Sequence, residues 1–292
     1  MRLLPKFTII FLLVYGSGLA LAAYFADAFL AENAHDQVLA QARLMMESAS
    51  AIRKYTNEQI KPVIQQTAAS SMAFVPQTVP SYSAITDFGY LRKKYPDYTY
   101  REPALNPTNP RDRAMDWESD VILTFKNFGD RTEETNIRET PEGKMLWLAR
   151  PLRSPQPCLE CHSTPDAAPA SLIATYGRNN GFGWKADEVV AAQIVQVPME
   201  VPQRIAAKAF RSLMFYLGLV GLATLIMLNI ALQAFVVRPV ARLSRLADRI
   251  SKGDLETTEL PLKGKDEIAE LAASFNRMKL SLGKALKMLE SD

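Results

Sequence analysis

The 292 residues carry 34 Lys and Arg against 31 Asp and Glu, a formal charge of +3, with only two histidines and two cysteines. So small a basic excess gives no electrostatic footprint for nucleic acid. An overall hydropathy close to zero averages two very apolar runs with a polar remainder, which excludes one uniform globule.

Residues 1–6 form a short tail bearing Arg2 and Lys6, and Phe7 to Ala26 then holds no charged residue. Twenty residues at ~1.5 Å rise span a hydrocarbon core of ~30 Å. Ala20, Ala22 and Ala23 would suit a cleaved signal peptide, but the run exceeds the usual apolar stretch of such a leader, so 7–26 reads as an uncleaved first membrane helix. A second charge-free run, 213–237, reads as another. Arg2 and Lys6 precede the first span, and Arg238, Arg242, Arg245 and Arg249 follow the second. Basic residues favour the cytoplasmic side, which puts both ends inside and residues 27–212 in the periplasm or its equivalent. The expectation is a two-pass protein of the inner (cytoplasmic) membrane.

From Asp27 to about Gln66, Val38, Ala42, Met45, Ala49, Ile52, Ile60 and Val63 fall on one helical stripe. Pro62 predicts a kink or stop. The segments 74–82 and 95–101, dense in proline and aromatics, predict extended loop or short strand. Asn109 and Pro110 make an N-cap and first-turn pair, after which Ala114, Trp117, Val121, Phe125 and Phe128 recur at helical spacing. Residues 132–138 and 144–152 bracket Pro141-Glu142-Gly143, a hairpin. Residues 188–199, rich in Val and Ile, predict a further strand. The external domain is therefore expected to be α+β with a small antiparallel sheet.

Between the hairpin and that last strand stands Cys158-Leu159-Glu160-Cys161-His162. C-x-x-C-H is the attachment signature of a c-type haem: two thiols form thioethers to the vinyl groups of one porphyrin, and the adjacent imidazole takes the iron as proximal ligand. A disulfide or redox pair is the alternative, as is half of a zinc site, for which the chain offers only His35 besides carboxylates. The expected cofactor is one covalent haem c, held by Cys158 and Cys161 with His162 on the iron. The opposite axial position is open to Met45, ahead of His35 and Met46, or to water or no ligand. Arg150, Arg153, Arg178 and Lys185 are candidate partners for the propionates; Trp147, Tyr176, Phe182 and Trp184 could wall the ring, and Gly177, Gly181 and Gly183 suggest a tight loop with close backbone approach.

The segments 55–62, 106–111, 158–162, 176–184 and 197–199 together resemble a family of periplasmic c-haem PAS-like sensor domains, formerly a domain of unknown function. The resemblance covers most of residues 30–205 and implies a PAS-like fold around one covalent haem, with redox or gas sensing. In a member of that family the second axial ligand is a cysteine, which this chain does not have to spare.

Beyond the second span, Val240, Leu243, Leu246 and Ile250 make one amphipathic stripe and Ile268, Leu271, Phe275 and Met278 another, joined by Gly253-Asp254-Leu255 and a linker, 256–265. With Pro239, Asp266-Glu267-Ile268 and Phe275-Asn276-Arg277-Met278, residues 238–292 resemble a HAMP domain, which implies a parallel four-helix bundle in a homodimer. Too few residues follow for a kinase, cyclase or methyl-accepting region, and no catalytic constellation stands out. The expectation is a non-enzymatic haem sensor of redox state or a diatomic gas, acting through HAMP on a separate cytoplasmic protein, with a periplasmic redox partner or gas as input. A membrane-bound electron-transfer cytochrome and an organic-ligand sensor with structural haem are the rivals.

Overall fold

The structure, a computed structural model, describes residues 3–67, 74–254 and 266–290. The chain divides into two compact units, Ala28–Lys208 and a second made of Met1–Asp27 with Ala209–Asp292.

In the first unit a four-stranded antiparallel sheet runs in the order β1-β4-β3-β2: β1 Thr99–Arg101, β2 Glu134–Thr140, β3 Gly143–Arg153 and β4 Val189–Pro198. β2 and β3 are the expected hairpin, with Thr140 opposite Gly143 across Pro141-Glu142. Gly143 has φ +118°, a backbone shape a side chain rarely adopts. The five residues Met145–Ala149 are all buried, because both faces of β3 are covered. Leu146 and Leu148, with Val195 and Val197 of β4, face the helices α1 (Leu3–Tyr55) and α3 (Pro80–Lys94) through Val38, Ala42, Met45, Met46, Ala49, Ala84 and Phe88. Trp147 and Ala149, with Ala192 and Ile194, face α4 (Asp116–Asn127) through Val121, Ile122 and Phe125.

Three local expectations need correcting. Pro62 does not stop the long helix: α1 passes into a π-helical turn, Thr56–Ile60, and on into α2, Lys61–Thr67. A wider turn is one way a helix accommodates the N–H that proline lacks. The segment expected to be extended from Phe74 contains a 3-10 turn, Pro76–Thr78, and Pro80 opens α3, where its fixed φ suits the first helical position. Asn109 does cap, accepting from the Arg111 N–H at 3.2 Å, but the turn it caps is 3-10, Pro110–Asp112. The helix proper starts at Asp116, where the Glu118 carboxylate accepts the Met115 N–H at 2.8 Å.

The helix α7 (Glu200–Ala231) begins in the first unit and continues into the second, where it is followed by a second π-helical turn, Leu232–Val237, and by α8 (Arg238–Ser251). The stretches 3–67 and 200–251 are each long and apolar enough to cross a membrane. Two contacts join the apolar parts: the Thr8 hydroxyl donates to Asn229 Oδ1 at 2.9 Å, and the Tyr15 hydroxyl donates to the Leu217 carbonyl. A Cβ on Gly221 would lie 2.3 Å from the Tyr15 ring, so only glycine admits that ring. α8 buries Leu243, Leu246 and Ile250 as its stripe requires, and packs on α9 (Glu267–Glu290). Gly253, φ +91°, closes α8 with its N–H on the Ile250 carbonyl, and Asp266 caps α9 by accepting the Ala269 N–H at 2.8 Å. Of the second expected stripe, Ile268 and Phe275 are half-buried while Leu271 and Met278 are exposed. Leu255 and the linker 256–265 lie outside the described residues.

Candidate functional site

The segment between β3 and β4 is stitched closed at its base. Ser154 N–H donates to the Glu188 carbonyl at 3.0 Å, and Asp187 N–H to the Ser154 carbonyl at 2.8 Å. The buried Ser154 hydroxyl also donates to the Lys185 carbonyl. Within this closed loop a 3-10 turn, Gln156–Cys158, leads directly into α5, Leu159–His162, and α6 follows at Ala170–Tyr176. The prolines Pro155 and Pro157 set the entry, since each fixes φ near the helical value.

Cys158, Cys161 and His162 share one cleft of about 650 Å³, and Cys158 and His162 also line an adjoining one of about 240 Å³. Neither cysteine is in a disulfide. Burial raises the Cys158 thiol pKa, with Arg53 and Lys61 pulling the other way; burial and Glu160 raise that of Cys161.

His162 is held on three sides. Its Nδ1 lies 2.7 Å from the Gly181 carbonyl oxygen. A carbonyl oxygen only accepts, so Nδ1 carries the proton and Nε2 keeps its lone pair. The Thr108 hydroxyl lies 3.4 Å from the same nitrogen. Trp184 stacks on the imidazole with centroids 4.0 Å apart and planes 11° from parallel. Burial pushes the imidazole pKa down, with the Gly181 bond opposing it. A neutral, oriented ring with Nε2 unprotonated is the form that binds a metal. The loop returns to the motif by backbone pairs, Gly183 N–H to the Ser163 carbonyl and Trp184 N–H to the His162 carbonyl. Gly181, φ +83°, is buried against Thr108: a Cβ there would lie 2.0 Å from Thr108 Oγ1 and 2.8 Å from its Cα. The close approach suggested by the glycines is real at this position.

Of the aromatic candidates, Tyr176 and Trp184 line the smaller cleft, while Trp147 belongs to the core under α4. Of the four candidate cations only Arg153 lines either cleft. Its guanidinium donates to the Asp187 and Gly129 carbonyls at 3.0 and 2.9 Å. Arg150 instead pairs with Glu47 and Glu133, and Arg178 with Asp166. Met45 and Met46 are packed in the helix and sheet core, and neither lines a cleft, nor does half-buried His35. The stripe that nominated Met45 is the face that packs on the sheet, so its periodicity marked core rather than site.

Sequence reasoning missed the wall supplied from a hundred residues upstream. Arg53 lines both clefts, and Lys54 and Lys61 line the larger. Arg53 pairs with the buried carboxylate of Glu102, whose Oε1 accepts the Tyr100 hydroxyl at 2.5 Å; that hydroxyl accepts from Gln193 Nε2 at 2.8 Å. Burial works against the Arg53 charge, yet Glu102 and Tyr100 hold its pKa above the ordinary value. Burial, together with Glu102, pushes the Tyr100 pKa far up. No local sequence signal marks Arg53, because only the fold brings it to the motif.

Comparison with known proteins adds two family matches: residues 31–198 match the Tll0287-like family, described as Tll0287, and residues 232–284 match the HAMP domain. The chain is 40% identical over 73 residues to the sensor histidine kinase MtrB of Mycobacterium tuberculosis and of Mycobacterium bovis, and 38% to that of Mycobacterium leprae. Each match covers 25% of this chain and 13% of the relative's length. Among solved structures, the crystal structure of the cyanobacterial heme-protein Tll0287 aligns over 55% of this chain and 94% of its own, with 14% identity and a TM-score of 0.41.

Proposed function

The chain belongs to the Tll0287-like family and continues into a HAMP domain, and from that premise we propose that it is a two-pass sensor of the cytoplasmic membrane carrying one covalent haem c. Cys158 and Cys161 supply the thioethers and His162 the proximal nitrogen. The observation that carries this reading is the hydrogen bond between His162 Nδ1 and the Gly181 carbonyl, which leaves Nε2 as a lone-pair donor beside two unpaired thiols in one cleft. A bound haem supplies an iron that changes oxidation state and takes up diatomic gases.

The residues around it have separable tasks. Gly181 fixes the tautomer and, with Trp184, the plane of the imidazole. The cationic side chains of Arg53, Lys54 and Lys61 suit the two propionates of the porphyrin. Ser154 keeps the loop closed, so the motif cannot drift from the wall that faces it.

Downstream, the exposed Leu271 and Met278 of α9 support a homodimer, since a second copy would bury them in a parallel four-helix bundle. HAMP then passes a repacking to a separate cytoplasmic signalling protein, and the resemblance to proteins named sensor histidine kinases supports a signalling role. The test is a pyridine haemochrome spectrum on acid–acetone-washed protein, followed by cysteine cross-linking along α8 and α9 in the oxidised, reduced and CO-bound states. A washed chain that keeps its pigment and changes its cross-linking pattern supports the reading. Pigment that washes out, or a pattern blind to all three states, sinks it.

A further inference from the structure

Two charge pairs on the cleft wall differ in kind. Arg111–Asp112, at 3.3 Å, lines the smaller cleft with its arginine half exposed, where water screens it. Arg53–Glu102 is shielded: the carboxylate side chain is 3% exposed and the guanidinium 24%. Both of its members line the smaller cleft, together with Cys158 and His162.

The two ends of this pair are anchored differently. Glu102 directly follows β1 and is pinned by the Tyr100 hydroxyl, which is itself pinned by Gln193 of β4. That end belongs to the rigid sheet. Arg53 stands in the last turn of α1, three residues before the π-helical turn Thr56–Ile60. Thr56, the first residue of that turn, is buried and its hydroxyl donates to the Ile52 carbonyl at 2.8 Å. π-helical turns are rare interruptions of an α-helix and frequently occur at functional sites. A force on Arg53 therefore acts beside this irregular turn.

We propose that the Arg53–Glu102 pair reads the charge of the haem and transmits it to the π-helical turn of the long helix. The proposal rests on the reading of the cleft as a haem site and deepens it by naming the regulatory contact. When the site gains one electron from a one-electron protein donor, ferric iron becoming ferrous with no bond made or broken, Arg53 faces one positive charge fewer. It moves toward the cleft, the fixed carboxylate of Glu102 stays, and the turn 56–60 follows the arginine. In the ferric state the added charge presses Arg53 back onto Glu102.

Opposite signs make this testable. Glu102→Gln removes a negative charge beside the cofactor and raises the midpoint potential, while Arg53→Met removes a positive one and lowers it. Each shift is expected to change the oxidised-to-reduced ratio about tenfold, about 59 mV for one electron. The double variant R53M/E102Q leaves no unpaired buried charge, so it folds even where Glu102→Gln alone does not, and its potential returns toward that of the parent. Potentiometric titration of the full chain in lipid nanodiscs gives the potentials. Hydrogen exchange across residues 50–62, oxidised against reduced, gives the motion: the parent shows a redox-dependent difference at the π-helical turn and the double variant shows none. Single variants whose potentials move in the same direction, or a haem-loaded parent whose exchange at 50–62 ignores redox state, overturn this proposal and leave the haem site standing. A parent without covalent haem overturns both.

Discussion

The sheet sandwich and the loop that carries the motif are held together by different forces. The sandwich relies on apolar packing: Leu146, Leu148, Val195 and Val197 on one face, Ile122, Phe125 and Ile194 on the other, each almost or wholly withdrawn from water. In the loop, residues 155–163 are half-buried or exposed and none is fully withdrawn from water; hydrogen bonds keep it in shape, from the Ser154 clasp to the pairs at Gly183 and Trp184. Non-directional burial tolerates approximation, whereas hydrogen bonds fix orientation. The scaffold accordingly sets stability and the loop sets geometry, and substitutions should separate the two.

The largest effect expected is total. Cys158→Ser with Cys161→Ser should abolish haem staining on a denaturing gel, while far-ultraviolet circular dichroism keeps the α+β signature; a collapse of that signature would mean the loop also sustains the scaffold. Next, Phe125→Ala empties a site that is 1% exposed and should destabilise by ~3–5 kcal/mol in chemical denaturation, with the axial spectrum of the surviving folded protein unchanged. Smaller is Gly181→Ala, which forces a methyl against Thr108 at a positive φ. A strain of ~1–3 kcal/mol is expected, with altered EPR g-values as the imidazole loses its carbonyl anchor; an unchanged EPR spectrum would break the division of labour.

The smallest effect belongs to the scaffold's rim. Partial burial acts to raise the Glu133 pKa, but hydrogen bonds from Arg43 and Arg150 hold it below the ordinary carboxylate range. A folded pKa below the unfolded one gives stability that is present above the unfolded value and lost as pH falls through the folded one. Arg150→Ala should therefore lower stability by ~0.5–1 kcal/mol at neutral pH. The gap between variant and parent should narrow below the usual glutamate pKa of about 4.3. Glu118, whose pKa burial raises, has the opposite pH sign and is common to both proteins, so it cancels in the difference.

How much of this was written in the sequence follows the same division. Periodicity showed the long helix, α4, the hairpin and β4, because burial on one or both faces imposes a pattern. It failed at Pro80, where proline and aromatics suggested loop while the helix α3 needed only a proper first turn. The motif pointed to Cys158, Cys161 and His162, which the fold brings to one cleft, because the residues that would hold one porphyrin by thioethers and an imidazole are neighbours in the chain. It could not name Arg53, Glu102, Thr108 or the Ser154 clasp, whose proximity is a product of the tertiary fold. Met45 shows the converse: it packs in the helix and sheet core, as a residue with ligand chemistry on a helical stripe usually does.

The contacts between the two apolar helices limit how a signal can travel. The Thr8 hydroxyl reaches both Asn229 Oδ1 at 2.9 Å and the Leu4 carbonyl of its own helix at 3.0 Å, so the cross-helix bond has a local substitute, whereas the Tyr15 ring fits only where residue 221 has no side chain. Gradual sliding would drive the Tyr15 ring out of the notch at Gly221, so this contact acts as a detent. Sliding of one span along the other is then discouraged, and the motion that remains easiest is for the two spans to tilt or turn together as one lever.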